Sequence, residues 1–242
     1  MEIQLFIPCY IDQFYPQTAF NTISVLEEAG CVVRYNPKQT CCGQPAFNSG
    51  YWNDAARLAT KFLNDFDPEL PVVSPSGSCT GYIKQHYHKL VEGNDLLSDR
   101  LKKIRSNIFE LSDFLINKLK IESLNSCFPN KVTFHDSCSP LREYGIKDEP
   151  RKLLRMIKDL ELIEMEESES CCGFGGTFYI KYPSISAAMT EKKVENALAA
   201  GVSYIVSTEA SCLMNINGYI SKHKLPIKGV HLADVLTIKV AQ

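Results

Sequence analysis

Several features that would place a chain quickly are missing here. No window approaches the roughly 18 consecutive apolar residues of a membrane span. Met1-Glu2-Ile3-Gln4 lacks the basic start and apolar run of a signal peptide. Basic runs are absent too: 26 Lys and Arg against 28 Asp and Glu leave a formal charge of -2, with the two signs interspersed. Nothing therefore offers the electrostatic footprint of a nucleic-acid-binding protein. The glycines fall into neither a GxGxxG nor a Walker pattern, and no Ser/His/Asp set or paired carboxylates can be located for hydrolytic chemistry. A cytoplasmic protein with no membrane span and no nucleic-acid partner is the expectation. With 242 residues, 45% of them hydrophobic, the chain can bury a sizeable core.

What is present is cysteine, ten in all. In a reducing compartment that number points to metal or redox chemistry rather than to disulfides. Eight of the ten repeat. Cys9 precedes Cys41-Cys42-Gly43 and Cys79 at intervals of 32 and 37 residues, and Cys138 precedes Cys171-Cys172-Gly173 and Cys212 at 33 and 40. The flanks repeat as well: Val72-Val73-Ser74-Pro75-Ser76-Gly77-Ser78 leads to Cys79 as Ile205-Val206-Ser207-Thr208-Glu209-Ala210-Ser211 leads to Cys212. Glu110-Leu111-Ser112-Asp113-Phe114-Leu115 is echoed by His231-Leu232-Ala233-Asp234-Val235-Leu236. The polar stretch 122–130 is the natural seam, which divides the chain into repeats 1–125 and 126–242.

The pattern of apolar residues predicts short buried strands at 3–8, 31–35 and 71–75, with helices over 16–29 and 51–66. In the second half it predicts strands near 131–135, 161–165 and 203–207, with helices near 149–159 and 183–200. Pro16 near the start and Gly30 just past the end are the expected punctuation of the first helix. The fold class is α/β: two duplicated parallel-sheet halves with the cysteine loops at the carboxyl ends of the strands, where such sheets bind ligands. Cys79 and Cys212 would open helices, whose free N–H groups favour thiolate.

Four cysteines per half satisfy the ligand count of a [4Fe–4S] cluster, one per repeat. Neighbouring side chains of a strand point to opposite faces, so the doublets need a turn to reach one centre, and the following glycine permits it. Zinc at two sites of four cysteines each is the alternative cofactor, though CxxC knuckles are absent. Redox-active disulfides and small core cysteines are also open. The candidate cluster or metal ligands are thus Cys9, Cys41, Cys42, Cys79, Cys138, Cys171, Cys172 and Cys212. Cys31 and Cys127 lie outside the repeat and read as structural. His135 and Asp136, just before Cys138, could support a cluster or be ordinary structural residues. His86 and His88 read as partly exposed helix surface beside Tyr82 and Tyr87, and His223 and His231 belong to no constellation.

The segments Ile7-Pro8-Cys9-Tyr10-Ile11-Asp12-Gln13-Phe14, Cys41 to Gly50, His135-Asp136-Ser137-Cys138 and Cys171-Cys172-Gly173-Phe174-Gly175-Gly176-Thr177-Phe178 resemble the CCG cysteine-rich domain family, to which heterodisulfide reductase contributes one of its subunits. The closer resemblance is to the lactate-utilisation protein A group. It implies two CCG domains and an iron–sulfur subunit of a three-protein complex oxidising L-lactate to pyruvate. It also implies a partner linked to flavin or quinone, since this chain has no flavin or nicotinamide fingerprint. The broader family pattern ends each repeat in CxxC, whereas here each repeat keeps four cysteines, which suits an ordinary four-thiolate cluster better than a noncubane one. The readings left open are a zinc-binding structural or regulatory protein and a thiol–disulfide oxidoreductase of the heterodisulfide-reductase type.

Overall fold

The structure, a computed structural model, describes residues 1–238; the last four residues of the expected second repeat lie outside it. The first half runs β1 (Glu2–Leu5), α1 (Cys9–Phe14), α2 (Pro16–Glu28), β2 (Val32–Tyr35), α3 (Gln44–Asn48), α4 (Trp52–Asp65), β3 (Val72–Ser74), α5 (Gly77–His86), α6 (Asp95–Asn107), β4 (Ile108–Glu110) and α7 (Leu111–Asp113). The second runs β5 (Lys131–Phe134), a wide helical turn (Pro140–Tyr144), α8 (Asp148–Arg155), β6 (Glu161–Leu162), α9 (Phe178–Lys181), α10 (Pro183–Ala199), β7 (Tyr204–Ser207), α11 (Ala210–His223), β8 (Lys228–His231) and α12 (Leu232–Leu236).

Each half builds one four-stranded, all-parallel sheet, in the orders β2-β1-β3-β4 and β6-β5-β7-β8. Helices cross between neighbouring strands, as parallel pairing requires. The α/β class and its duplication are as the sequence indicates. One apolar cluster takes in Ile3, Leu5 and Val73 of the first sheet with Val132, Phe134 and Val206 of the second, and α2, α8 and α12 pack into it. Two further clusters lie on the far sides, one under α4, α5 and α6 and one under α10 and α11. The repeats therefore share a central core and keep an outer one each.

The details depart from the expected pattern where pairing overrides it. The strand expected to be buried at 31–35 is an exposed edge, with Val32 62% and Tyr35 49% accessible, because β2 has a neighbour only on the β1 side. Its partner by repetition, β6, is also an edge and only two residues long. The strand expected at 3–8 ends at Leu5, and Pro8 (ψ 152) carries the chain out in extended form to start α1 at Cys9. Strands β4 and β8 add to the strands that the apolar pattern predicts. They end on the first residues of the echoed segments, Glu110 and His231, whose side chains cap the helices that follow. Helix α6 is likewise an addition, although Asn94 accepts from the Leu97 N–H as an N-cap and Leu97, Leu101 and Ile104 make its buried stripe.

The halves meet through two reciprocal pairs of contacts, one of them α2 against α12 with α8 against α7. In the other, helix α5 of the first half lies against the turn 140–144 of the second, and α1 lies against α11. Gly77 makes the contact of α5 possible, since a Cβ there would sit 2.7 Å from the Pro140 Cβ. His231 adds a polar link. Its Nδ1 accepts from the Ala233 N–H, so Nε2 carries the proton and donates to the Pro75 carbonyl at 2.9 Å.

Candidate metal centre

The eight repeated cysteines arrive by three routes that are the same in both halves. Cys9 and Cys138 follow the central strands β1 and β5. The doublets Cys41-Cys42 and Cys171-Cys172 lie in the loops after the edge strands. Cys79 and Cys212 are third in α5 and α11, within the first turn where backbone N–H groups are free. Gly43 and Gly173 take the left-handed conformation (φ 92 and 85), and the N–H of each donates to the first sulfur of its doublet, Cys41 or Cys171, at 3.4 Å. A Cβ at Gly173 would lie 2.5 Å from the Ser186 carbonyl oxygen. The glycine is thus required by the turn and by the close approach of α10.

The thiols are brought together. Cys9 Sγ lies 3.6 Å from Cys41 Sγ, and Cys42 Sγ lies 3.2 Å from Cys79 Sγ. In the second set, Ser137 Oγ donates to Cys212 Sγ at 3.4 Å, and the ligating atoms of His135, Cys172 and Cys212 lie within 4.8 Å of one another. All ten cysteines are free thiols. Each set gathers within its own repeat, and both line a single cavity of about 270 Å³ between the repeats. Tyr10, Ser76, Ser78, Glu143, Phe174 and Glu209 also face it.

Crowded sulfurs hold their protons unequally. Cys41 is pulled down to about 3 by the thiols of Cys42 and then Cys9, with the Gly43 N–H adding to them against burial. Cys171 falls to about 2 through Cys138 and then Cys172. Cys9, Cys42, Cys138 and Cys172, the donors in these contacts, are pushed up in return. Cys212 is held well below the usual thiol range by the Cys172 thiol, with the nearby His135 imidazole also favouring the thiolate. Such an array is suited to exchanging its shared protons for a metal.

The surroundings of the two sets were only partly legible in the sequence. Glu209 is fully buried and accepts from the Ser78 N–H (2.6 Å), the Ser78 hydroxyl (2.8 Å) and the Ser76 hydroxyl (3.1 Å), all in the other repeat. Burial first, and then the Cys212 charge, pushes its carboxyl up to about 8. Asp136 is engaged by Arg151 in a two-pronged pair at 2.8 and 2.7 Å, and Arg151 also holds Glu164 at 2.7 and 3.0 Å. Burial works to raise the Asp136 carboxyl, but Arg151 outweighs it and the group stays below the usual carboxylate range. His135 is fully buried, and neither ring nitrogen has a hydrogen-bond partner among the described residues. Lys193 is fully buried, donates to the Glu167 and Ser168 carbonyls at 2.6 and 3.0 Å, and is drawn down to about 8 by burial.

Cys31 lies in the central core, and the Cys127 thiol lies 3.4 Å from an Asp159 oxygen, both outside the cavity. His86 packs its ring against Phe47 and Tyr82, while His88 is exposed. Their helix neighbours Tyr82 and Tyr87 are fully buried, and Tyr87 donates to the Cys42 carbonyl at 2.7 Å. His223 stacks on Tyr219 at 4.2 Å, away from both cysteine sets.

Comparison with known proteins agrees with this duplicated arrangement. The cysteine-rich domain family CCG matches twice, over residues 3–84 and 132–217. Proteins named Lactate utilization protein A are similar over 98% of this chain: that of Halalkalibacterium halodurans is 41% identical with 96% of its own length covered, and that of Bacillus subtilis is 38% identical with 99% covered. Among solved structures, a hypothetical protein from Helicobacter pylori shares the fold with a TM-score of 0.60 at 12% identity, matching 99% of this chain and 49% of that one. Two copies of the family's domain and full-length relatives leave no ambiguity: the chain belongs to the CCG cysteine-rich domain family, in the group of Lactate utilization protein A.

Proposed function

We propose that the chain is the iron–sulfur subunit of a complex oxidising L-lactate to pyruvate, with one cluster, [4Fe–4S], in each of two repeats spanning 1–125 and 126–242. The observation that carries this reading is the convergence of eight free cysteines, in two matched sets, on one cavity. The relatives' name supports the lactate connection. Cys9, Cys41, Cys42 and Cys79 would hold the first cluster, and Cys138, Cys171, Cys172 and Cys212 the second.

The donor chemistry fits: four sulfurs per set, partly thiolate already, with glycine N–H groups aimed at them. When bound, such clusters supply one-electron carriage. The chain's own residues do the rest. Gly43 and Gly173 turn each doublet so that both sulfurs face the cavity, and their N–H groups offset negative charge on Cys41 and Cys171. Tyr82, Tyr87 and Phe6 close the back of the first set against water. Tyr87 and Thr190 fix the carbonyls of Cys42 and Cys172 at 2.7 and 2.8 Å, which holds each doublet's second sulfur inward. No helix of the described residues is long and apolar enough to cross a membrane. In this reading the protein works in the cytoplasm, with two further subunits and a flavin- or quinone-linked partner as the source or sink of electrons.

Anaerobic purification followed by iron, sulfide and zinc analysis tests the proposal. Brown protein with roughly four iron and four sulfide per site is expected. Colourless protein with stoichiometric zinc, or metal-free protein whose cysteines titrate reversibly in pairs, would overturn it in favour of a zinc scaffold or a thiol–disulfide enzyme.

A further inference from the structure

The two cysteine sets are alike, but their walls are not. The backbone N–H of Phe6 donates to the Val73 carbonyl at 2.9 Å, and that of His135 donates to the Val206 carbonyl at 2.8 Å. Phe6 and His135 also stand three residues before Cys9 and Cys138, so they hold equivalent positions. A second pair follows from the doublet turns. Gly43 is closest to Leu58 and the Ala55 carbonyl of α4, and Gly173 to the Ser186 carbonyl of α10. With Ala55 and Ser186 matched, two turns further along Phe62 matches Lys193, and Ala59 matches Thr190. The buried pair Leu63 and Val194 confirms the register.

At these two positions behind the first set, therefore, stands hydrocarbon, with the Tyr82 and Tyr87 hydroxyls beside it. Phe6 packs edge-on against Phe62 at 5.0 Å and Phe66 at 5.7 Å, and all three are buried. Behind the second set the same positions carry the His135 imidazole and the Lys193 ammonium, while the doublet carbonyls are held in both sets, Cys42 by Tyr87 at 2.7 Å and Cys172 by Thr190 and Asn215 at 2.8 and 2.9 Å. Two acidic groups near this set do not reverse the contrast. Asp136 is matched by Arg151, and Glu209, bonded to Ser76 and Ser78 beside Cys79 and three residues before Cys212, lies between the two sets and acts on both.

We infer that the two sites are inequivalent, the second being the more easily reduced, and that His135 is the positioning residue chiefly responsible. This rests on the cluster reading above. Reduction adds a negative charge to a group already anionic through its thiolates. A hydrocarbon wall does nothing to stabilise that charge, whereas an N–H donor and a buried cation do, most effectively where water is excluded. His135 is suited to the task because it is fully buried, its ring nitrogens have no other partner among the described residues, and Cys172 and Cys212 lie within 4.8 Å. An electron entering the protein would thus come to rest on the second repeat.

The test is a potentiometric titration of the anaerobically purified full chain, followed by electron-paramagnetic resonance. Two reduction steps are expected. His135→Phe, which copies the wall of the first repeat, should shift the higher step downward and leave the lower one in place. His135→Gln, which keeps an N–H donor, should restore part of that shift. Phe6→His should raise the lower step instead and so assigns it to the first repeat even if His135→Phe fails to fold. Iron- and sulfide-loaded protein that titrates in a single step, or whose steps are indifferent to both His135→Phe and Phe6→His, overturns this inference alone. Protein with no iron, no sulfide and no reducible signal overturns the cluster reading with it.

Discussion

Ser76 and Glu209 occupy matching places in the two repeats, three residues before Cys79 and Cys212, and they are hydrogen-bonded to each other at 3.1 Å. The bond joins the repeats beside the cavity and continues to the Ser78 N–H at 2.6 Å. Glu209→Ala would leave that part-buried N–H without its acceptor, at a cost of at most about 1–3 kcal/mol. Glu209→Gln, which keeps an acceptor oxygen, should cost less. Denaturant unfolding of the two variants measures the difference, and equal losses would count against the bond as the cause.

The glycines after the doublets should not respond alike to substitution. Gly173→Ala drives a Cβ to 2.5 Å from a backbone oxygen, whereas Gly43→Ala meets the side chain of Leu58 at 3.3 Å, which can shift. Both positions also carry left-handed strain, of order 1–3 kcal/mol. Gly173→Ala should therefore lose the second set's metal and Gly43→Ala retain more of the first's. Metal content of the two purified variants checks the order.

Arg151 is buried between Asp136 and Glu164, and Asp136 is almost fully enclosed. Asp136→Ala leaves the guanidinium with the half-exposed Glu164 as its only charged partner, beside the Lys147 carbonyl. Breaking a buried pair by removing one partner costs about 3–5 kcal/mol, so the variant should unfold at markedly lower urea than the wild type. Exchanging Lys147 or Glu169, an exposed pair, should change the midpoint little.

Glu110 gives a pH dependence with a definite sign. Burial pushes its carboxyl up to about 7, opposed by the Ser112 and Asp113 donors. Between the ordinary carboxylate range and that value the folded protein binds more protons than the unfolded, so this group's contribution to stability falls as pH rises, by about 1.4 kcal/mol per unit at most. Above about 7 its contribution levels off. Glu110→Gln should flatten the fall in melting temperature between pH 5 and 7, and an unchanged slope would remove Glu110 as its source.

The cysteine sets, the turn glycines and the duplicated sheets were legible because each leaves a local mark: a repeated spacing, a doublet needing φ above zero, a run of Val and Ile. Strands β4 (Ile108–Glu110) and β8 (Lys228–His231) are no shorter than β3 and β1 but carry no comparable run of Val and Ile, and only the echo of Glu110 and His231 marks their position. Val32 and Tyr35 look like core residues in a string, but exposure at a sheet edge depends on which strand lacks a neighbour. Lys193 falls inside the helix expected over 183–200, and nothing in the string marks that α10 buries it over the loop carbonyls of 167 and 168. The meeting of Ser76 with Glu209, and of both cysteine sets at one cavity, depends on how two sheets pack across more than a hundred residues. No spacing encodes that directly.

The shared cavity has a consequence for vulnerability. With both sets of sulfurs opening onto one space, a small oxidant that reaches Cys41 has also reached Cys171, with no wall between repeats to spare either. Air exposure should therefore strike the two repeats in concert, and any partner that capped that common mouth would protect both at once.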